Sequence, residues 1–197
     1  MGEGATDRRS RERTDAILSA ALELVSEMGY GQVTTDAIAA RARASKMTMY
    51  RKWPSKAVLI ADALRRQSEG PAPRAADTGS LRSDLTATVD GIVGSLSSES
   101  QASLLNLAEA VRDDPELRDL VRRQIYDRCD ADGAALCAQA AARGEPADPS
   151  LGPAVIRLAV SYVFTHMLLN AQAPGLDERE AFVDTVLLPA LRGGRTG

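Results

Sequence analysis

The sequence predicts an all-α fold, and three observations predict it. Apolar residues recur at spacings of three and four along most of the chain, which is the period of an amphipathic helix. Aromatics are only 4% of the 197 residues, and β-branched residues are modest beside Ala, Leu and Arg, a balance that favours helix over sheet. No segment shows the alternation of a half-buried strand, and no internal repeat is visible. With 44% hydrophobic and 26% charged residues, the composition is that of a globular chain, long enough for one or two domains with a real core.

The elements follow in order. Residues 1–12 are polar and carry Arg8, Arg9 and Arg11, which reads as a flexible basic arm. From Thr14 to Met28, the positions Ile17, Ala21, Leu24, Val25 and Met28 mark an amphipathic helix that Gly29 stops. Thr35 is placed to N-cap a short helix from Asp36 to about Arg43, and Ser45 to N-cap a second one ending near Arg51. Pro54 breaks the chain, and Ser55 caps a fourth helix running to about Gln67. These segments divide into a compact short-helix unit over 13–54 and a connecting helix over 55–69. A linker follows over 70–79, opening with Gly70-Pro71-Ala72-Pro73, which cannot continue a helix. Beyond it, longer helices are expected at about 80–97, 101–112, 115–143, 150–173 and 177–192, making one helical domain over 80–197.

Several chemistries are excluded. Met1 to Arg13 lacks the apolar core of a signal peptide, and no uninterrupted apolar run approaches the ~18 residues of a membrane span. Cys129 and Cys137 lie on one predicted helix with Cα atoms about 12 Å apart, too far for a disulfide. With His166 as the only histidine, no His/Cys metal cluster can be assembled, and no cofactor is expected. An enzyme would need a nucleophile–base pair or a metal, and little here can build one. A cytoplasmic protein is the expectation.

The net charge of −3 conceals a split. Residues 1–66 hold 12 basic and 8 acidic side chains, and the remainder 12 and 19, so the halves carry +4 and −7. All three lysines fall within 46–56, and from Arg41 to Lys56 there is no acidic residue. A basic patch on short helices is the electrostatic footprint of a phosphate-backbone binder. Two short helices with a tight connection match helix-turn-helix geometry, in which the second helix offers its N-terminal side chains to base edges. That helix carries Ser45, Lys46, Met47, Thr48 and Tyr50; Thr48 suits a thymine methyl and Lys46 suits guanine acceptors. Ser55 and Lys56 open the fourth helix, whose N-terminus favours a phosphate.

The run from Gly31 to Leu59 resembles the DNA-binding domain of the TetR/AcrR family of bacterial regulators. The matches are Thr35, Ile38, Ala39, Ala42, Ser45, Thr48, Tyr50, Trp53, Lys56 and Leu59, kept without gaps. The resemblance implies phosphate contacts from Thr34 or Thr35, Tyr50, Lys52 and Lys56, and base contacts from Lys46, Met47 and Thr48. The chain departs from the family pattern at three positions. Arg43 stands where the turn glycine belongs, Ala44 replaces the following Val, and Met47 replaces a Gly. A side chain at position 43 requires a turn that tolerates it.

The C-terminal half suggests assembly and a ligand. The helix after Pro153 is apolar on more than one face and must bury against more than its own domain. A homodimer is therefore expected through a four-helix bundle, with Val160, Val163, Phe182, Val186 and Leu187 at the interface, an arrangement that also resembles the family. Asn106, Glu109, Tyr126, Phe164, His166, Met167 and Asn170 mix apolar bulk with polar groups and are the candidate pocket for a partly apolar small-molecule effector. The expected function is a homodimeric repressor on a pseudo-palindromic double-stranded operator, released by that effector, with no membrane partner. The alternatives are a DNA-binding regulator that senses no ligand and, last, a helical enzyme.

Overall fold

The computed structural model describes residues 3–68, 77–96 and 101–193, and these are helical with no strand among them. The helices are α1 (Glu3–Met28), α2 (Thr35–Arg41), α3 (Lys46–Lys52), α4 (Lys56–Ser68), α5 (Leu81–Leu96), α6 (Gln101–Asp113), α7 (Pro115–Ala142), α8 (Gly152–Asn170), α9 (Leu176–Phe182) and α10 (Leu188–Leu191). The Gly70–Pro73 stretch expected as a linker lies outside the described residues.

Three local differences from the sequence expectations have physical causes. Helix α1 begins at Glu3, so the segment expected as an arm is helical, and an Arg8–Glu12 pair at i, i+4 favours that extension. The N-cap of α2 is Thr34, whose hydroxyl accepts from the Ala37 amide at 3.1 Å; Thr35 is already helical. The last helix is interrupted by a π turn over Val183–Leu187, where the Leu188 amide reaches back to the Val183 carbonyl. Pro189 follows directly; it has no N–H for Thr185 and its ring crowds that carbonyl, so the turn widens.

The chain forms two compact units: Met1–Ser68 with Ala102–Arg122, and Glu69–Gln101 with Arg123–Gly197. Residues 102–122 therefore cluster with the N-terminal helices rather than with the C-terminal domain expected over 80–197. Ala110 and Leu117 carry them there, because both are buried in the first unit's hydrophobic cluster. In that cluster α1 packs on α2 and α4, and α2 on α3. Ile17, Ile38, Met49, Trp53, Leu59 and Ile60 form its centre, each at most 3% exposed. The Trp53 indole N–H donates to Asp62 at 2.9 Å, so its polar atom is not left unpaired inside.

The second unit is held differently. Helix α5 packs on α8, α9 and the π turn. At Gly133 and Gly152, α7 and α8 approach so closely that a Cβ on Gly133 would sit 2.4 Å from the Gly152 carbonyl carbon. Asp84 is fully buried and accepts from the Thr78 amide and hydroxyl and from Arg143 at 2.5 Å. Arg143 also grips Asp77 and Glu145, and Glu145 in turn accepts from the Leu81 amide at the start of α5. Cys129 and Cys137 are both buried, and burial pushes the Cys129 thiol up to about 11, so at neutral pH it is an inert packing group.

Helix α8 is long and apolar enough, by length and composition alone, to cross a bilayer, although Arg157, Ser161, Thr165 and His166 interrupt its apolar run. Val155, Ile156, Ala159, Val163 and Met167 bury one stripe of it in the second unit, while Leu158 and Leu169 on another stripe are 42% and 73% exposed. Val163 and Leu187, expected at an intermolecular interface, are fully buried within this single chain. Their surface is already spent on the intramolecular core. Val160 and Phe182 are half-buried, and Val186 is exposed.

Candidate nucleic-acid interface

The turn between α2 and α3 runs through Arg43 at φ 49°, where the family pattern has glycine. This left-handed backbone lets the Ala44 amide reach the Ala39 carbonyl at 2.9 Å and close α2, so the turn keeps its geometry at a conformational cost of about 1–2 kcal/mol. Ser45, with extended backbone, then opens α3 as expected, although its hydroxyl makes no capping bond. Met49 points inward at 2% exposure and fixes the rotation of α3, leaving Lys46, Met47 and Tyr50 outward. Met47 is 80% exposed, the most exposed of the large hydrophobic residues described. A thioether held out in water at the start of a short helix contributes nothing to this chain's core; it suits apolar contact with a thymine methyl.

Side chains around this tip are positioned by their neighbours. Lys46 pairs with Asp36 at 2.6 Å, and Thr35 shares a 2.7 Å hydrogen bond with the Tyr50 hydroxyl. Both pairs join α2 to α3 on the exposed side. They keep long or rotatable groups in place until a stronger partner arrives. Thr48 is half-buried and faces α1, beside Arg51 and Lys52, so it lies on the flank of α3 rather than at the tip.

Lys56, expected at a phosphate, has its ammonium donating within the chain to the carbonyls of Tyr30 and Val33 at 2.9 and 3.1 Å and lying 4.0 Å from the centre of the Tyr30 ring. It ties down the short 3-10 turn at Tyr30–Gln32, and burial holds its pKa below the usual lysine range. The Tyr30 hydroxyl donates in turn to Asp114, whose other oxygen caps the first amides of α7 at Glu116 and Leu117. The helix N-terminus at α4 is likewise occupied from within, because Ser55 accepts from the Val58 amide and donates to Glu116. Sequence spacing could not reveal this chain of contacts, since its partners are up to 84 positions apart.

The expected effector residues separate between the two units. Asn106 and Glu109 belong to the first unit. The Asn106 amide donates to the Val25 and Ser26 carbonyls at 3.3 Å, capping the end of α1, and Glu109 pairs with Arg112. In the second unit Tyr126 is exposed with Arg157 over its ring, Phe164 is half-buried, Met167 is buried and Asn170 is exposed. His166 faces the Gln172 carbonyl at 3.1 Å and lies beside Glu178, next to Tyr162, which stacks on Phe182 at 4.0 Å. Among the described residues, no group of His, Cys, Asp and Glu side chains could hold a metal ion.

Residues 17–63 match the family model described as bacterial regulatory proteins of the tetR family, and residues 75–186 match the tetracyclin repressor-like C-terminal domain. A DNA-binding transcriptional repressor TetR of Mycobacteroides abscessus is 34% identical over 194 residues, covering 94% of this chain and 97% of that protein. An uncharacterized HTH-type transcriptional regulator of Mycobacterium tuberculosis is 33% identical over 183 residues, covering 91% and 88%. Among solved structures, a TetR-family regulator from Rhodococcus sp. superposes with a TM-score of 0.71 at 19% identity over 92% of this chain and 99% of that one. FadR from Bacillus subtilis in complex with stearoyl-CoA superposes with a TM-score of 0.66 at 18% identity, covering 90% and 97%.

Proposed function

Because the chain belongs to the TetR family of bacterial transcriptional regulators and carries its helix-turn-helix, we propose that it is a homodimeric repressor released from a pseudo-palindromic operator by a small molecule. It acts in the cytoplasm, on the nucleoid, and performs no catalysis; its relatives are named as regulators, not enzymes. The observation that carries the DNA-reading step is the outward set Lys46, Met47 and Tyr50 on α3, rigidly rotated by buried Met49. Base reading rests on Lys46 and Met47, while Tyr50 and Thr35, already hydrogen-bonded to each other, present a joint hydroxyl donor to the backbone.

Dimerisation is supported by exposed apolar residues of the second unit. Leu158, Leu169, Leu176 and Val186 are all at least 36% exposed, and a second copy that covers them removes apolar surface from water. A dimer carries two α3 helices, one for each half-site of a pseudo-palindromic operator. The effector belongs in the second unit, against Phe164, His166 and Met167 with Tyr126 and Asn170 at its margins. A ligand with an apolar portion suits that set. It releases DNA only by binding the non-matching conformer more tightly than the DNA-bound one.

Selection of bound duplexes from random DNA tests the reading. The expected result is an enriched two-fold-symmetric sequence, broadened by Lys46→Ala and by Met47→Ala. Absence of enrichment overturns sequence-specific binding, and a monomer in sedimentation at micromolar concentration overturns the dimer.

A further inference from the structure

A cleft of about 300 Å³ opens between α1 and α3; it takes in Thr48 and Lys52, which the sequence singled out, and adds Arg13 and Arg51, which it did not. Its floor is Ile17 and the edge of Trp53, and its walls carry Ser10, Arg13 and Thr14 from α1 with Thr48, Arg51 and Lys52 from α3. That is three cations and three hydroxyls, with no carboxylate in the lining. We propose that this cleft is a phosphate seat, occupied by a backbone phosphodiester of the duplex whose major groove holds α3.

The distribution of charge in the first unit points here. Arg41 is committed to Glu27 and Glu23, Lys46 to Asp36, Arg65 to Asp62 and Arg66 to Asp15. Among the described residues, Arg13 and Arg51 have no carboxylate within salt-bridge reach, and Lys52 donates to the Thr14 hydroxyl at 2.8 Å. Asp62, which acts on Lys52 only at longer range, is itself engaged by the Trp53 N–H and by Arg65. Three cations without a close carboxylate thus meet around one concavity, where like charges repel unless an anion joins them.

Groove dimensions give the anion its identity. An α-helix with side chains is about 10–12 Å across and the major groove about 12 Å wide, so the flank of an inserted helix meets the phosphates of the groove wall. Thr48, Arg51 and Lys52 share one such flank at i, i+3 and i+4, a step around the helix from Met47 and Tyr50. Arg13 reaches the same point from α1, so one phosphate is held from two helices and fixes the angle at which the unit docks. Such contacts set register without reading sequence.

This inference rests on the DNA-binding reading and is tested separately from it. Trp53 is the only tryptophan and lies 4.9 Å from the Lys52 ammonium, so its emission reports occupancy of the seat directly. The intact protein and its Arg13→Gln, Arg51→Gln and double variants are titrated with a random-sequence duplex across a salt series, and in parallel with pyrophosphate. Both substituted positions are exposed, and circular dichroism checks that helix content is kept. The expected result is a salt slope smaller by about 0.9 for each arginine–phosphate pairing removed, with a Trp53 emission shift on duplex binding that is reduced in the double variant. Variants that bind duplex with the wild-type slope and emission shift overturn the seat while leaving the helix-turn-helix reading intact. A shift with pyrophosphate but none with duplex also overturns it, giving the cleft to a small phosphate-bearing ligand. A wild-type protein that binds no duplex at all overturns the DNA-binding reading and the seat with it.

Discussion

Arginine plays opposite parts in the two units. In the second, Arg143 is enclosed by Asp77, Asp84 and Glu145, with every approach taken by a carboxylate of the same chain. In the first, Arg13 and Arg51 stand around a cleft that supplies hydroxyls and no acid. The first arrangement satisfies itself and locks three segments together; the second is incomplete until something anionic arrives. The same contrast separates Lys56, sequestered on carbonyls, from Lys52, which donates to a threonine hydroxyl and lies by the Trp53 ring. A cation's role is thus set by how many acceptors the fold has already given it, and a count of basic residues does not tell the two apart.

Three changes break or sharpen that comparison. The largest effect is expected from Gly133→Ala, because a Cβ there meets the Gly152 backbone rather than a side chain that could turn aside. A loss of about 3 kcal/mol or more is expected in denaturant unfolding, confined to the second unit. A near-neutral result would show the α7–α8 contact to be yielding.

Next comes acid. Burial works to raise the Asp84 carboxyl, but the Thr78 hydroxyl and amide and the Arg143 guanidinium outweigh it, holding the pKa below the usual range. A folded-state pKa below the unfolded value of about 3.9 means stability that is present above that pH and lost as pH falls through the lower folded value. Arg143→Gln brings the folded value back up, so acid unfolding of α5, followed by amide exchange over 81–96, is expected to begin at higher pH than in the wild type. An unchanged onset would remove Arg143 as the keystone.

The smallest effect is expected at Arg43. Relieving the left-handed strain with Arg43→Gly, less the entropy that glycine adds to the unfolded chain, is expected to raise stability by about 0.5–1 kcal/mol, read as a higher Tm. A lower Tm would mean that the arginine side chain stabilises the turn.

Much was legible from spacing and capping. Helices α2 to α8 lie within two or three residues of where the periodicity and the Pro and Gly breaks place them, since those signals are local. The differences arise where two local answers are equally good or where a distant partner decides. Thr34 and Thr35 can both cap α2; Thr34 does so because the Thr35 hydroxyl is taken by Tyr50. Val163, on a helix apolar on more than one face, and Leu187, on the last helix, read as interface residues, and only the packing of α5 against α8 and the π turn shows that both are already covered. Arg13 draws no notice in the sequence because its neighbours on α3 are nearly forty residues further along the chain.

By itself, the sequence determined that the chain is helical, that a basic short-helix unit precedes an acidic one, and that the former has the helix-turn-helix pattern of one regulator family. Those features are written in periods of three to four residues and in charge composition, which need no knowledge of what folds against what. Tertiary structure alone decided which cations are spent and which are left over, because an ammonium turned onto Tyr30 and a guanidinium left at the edge of a cleft are identical as letters. The difference lies in desolvation and in the acceptors that distant segments bring within about 3 Å, and those come into being only when the chain is packed.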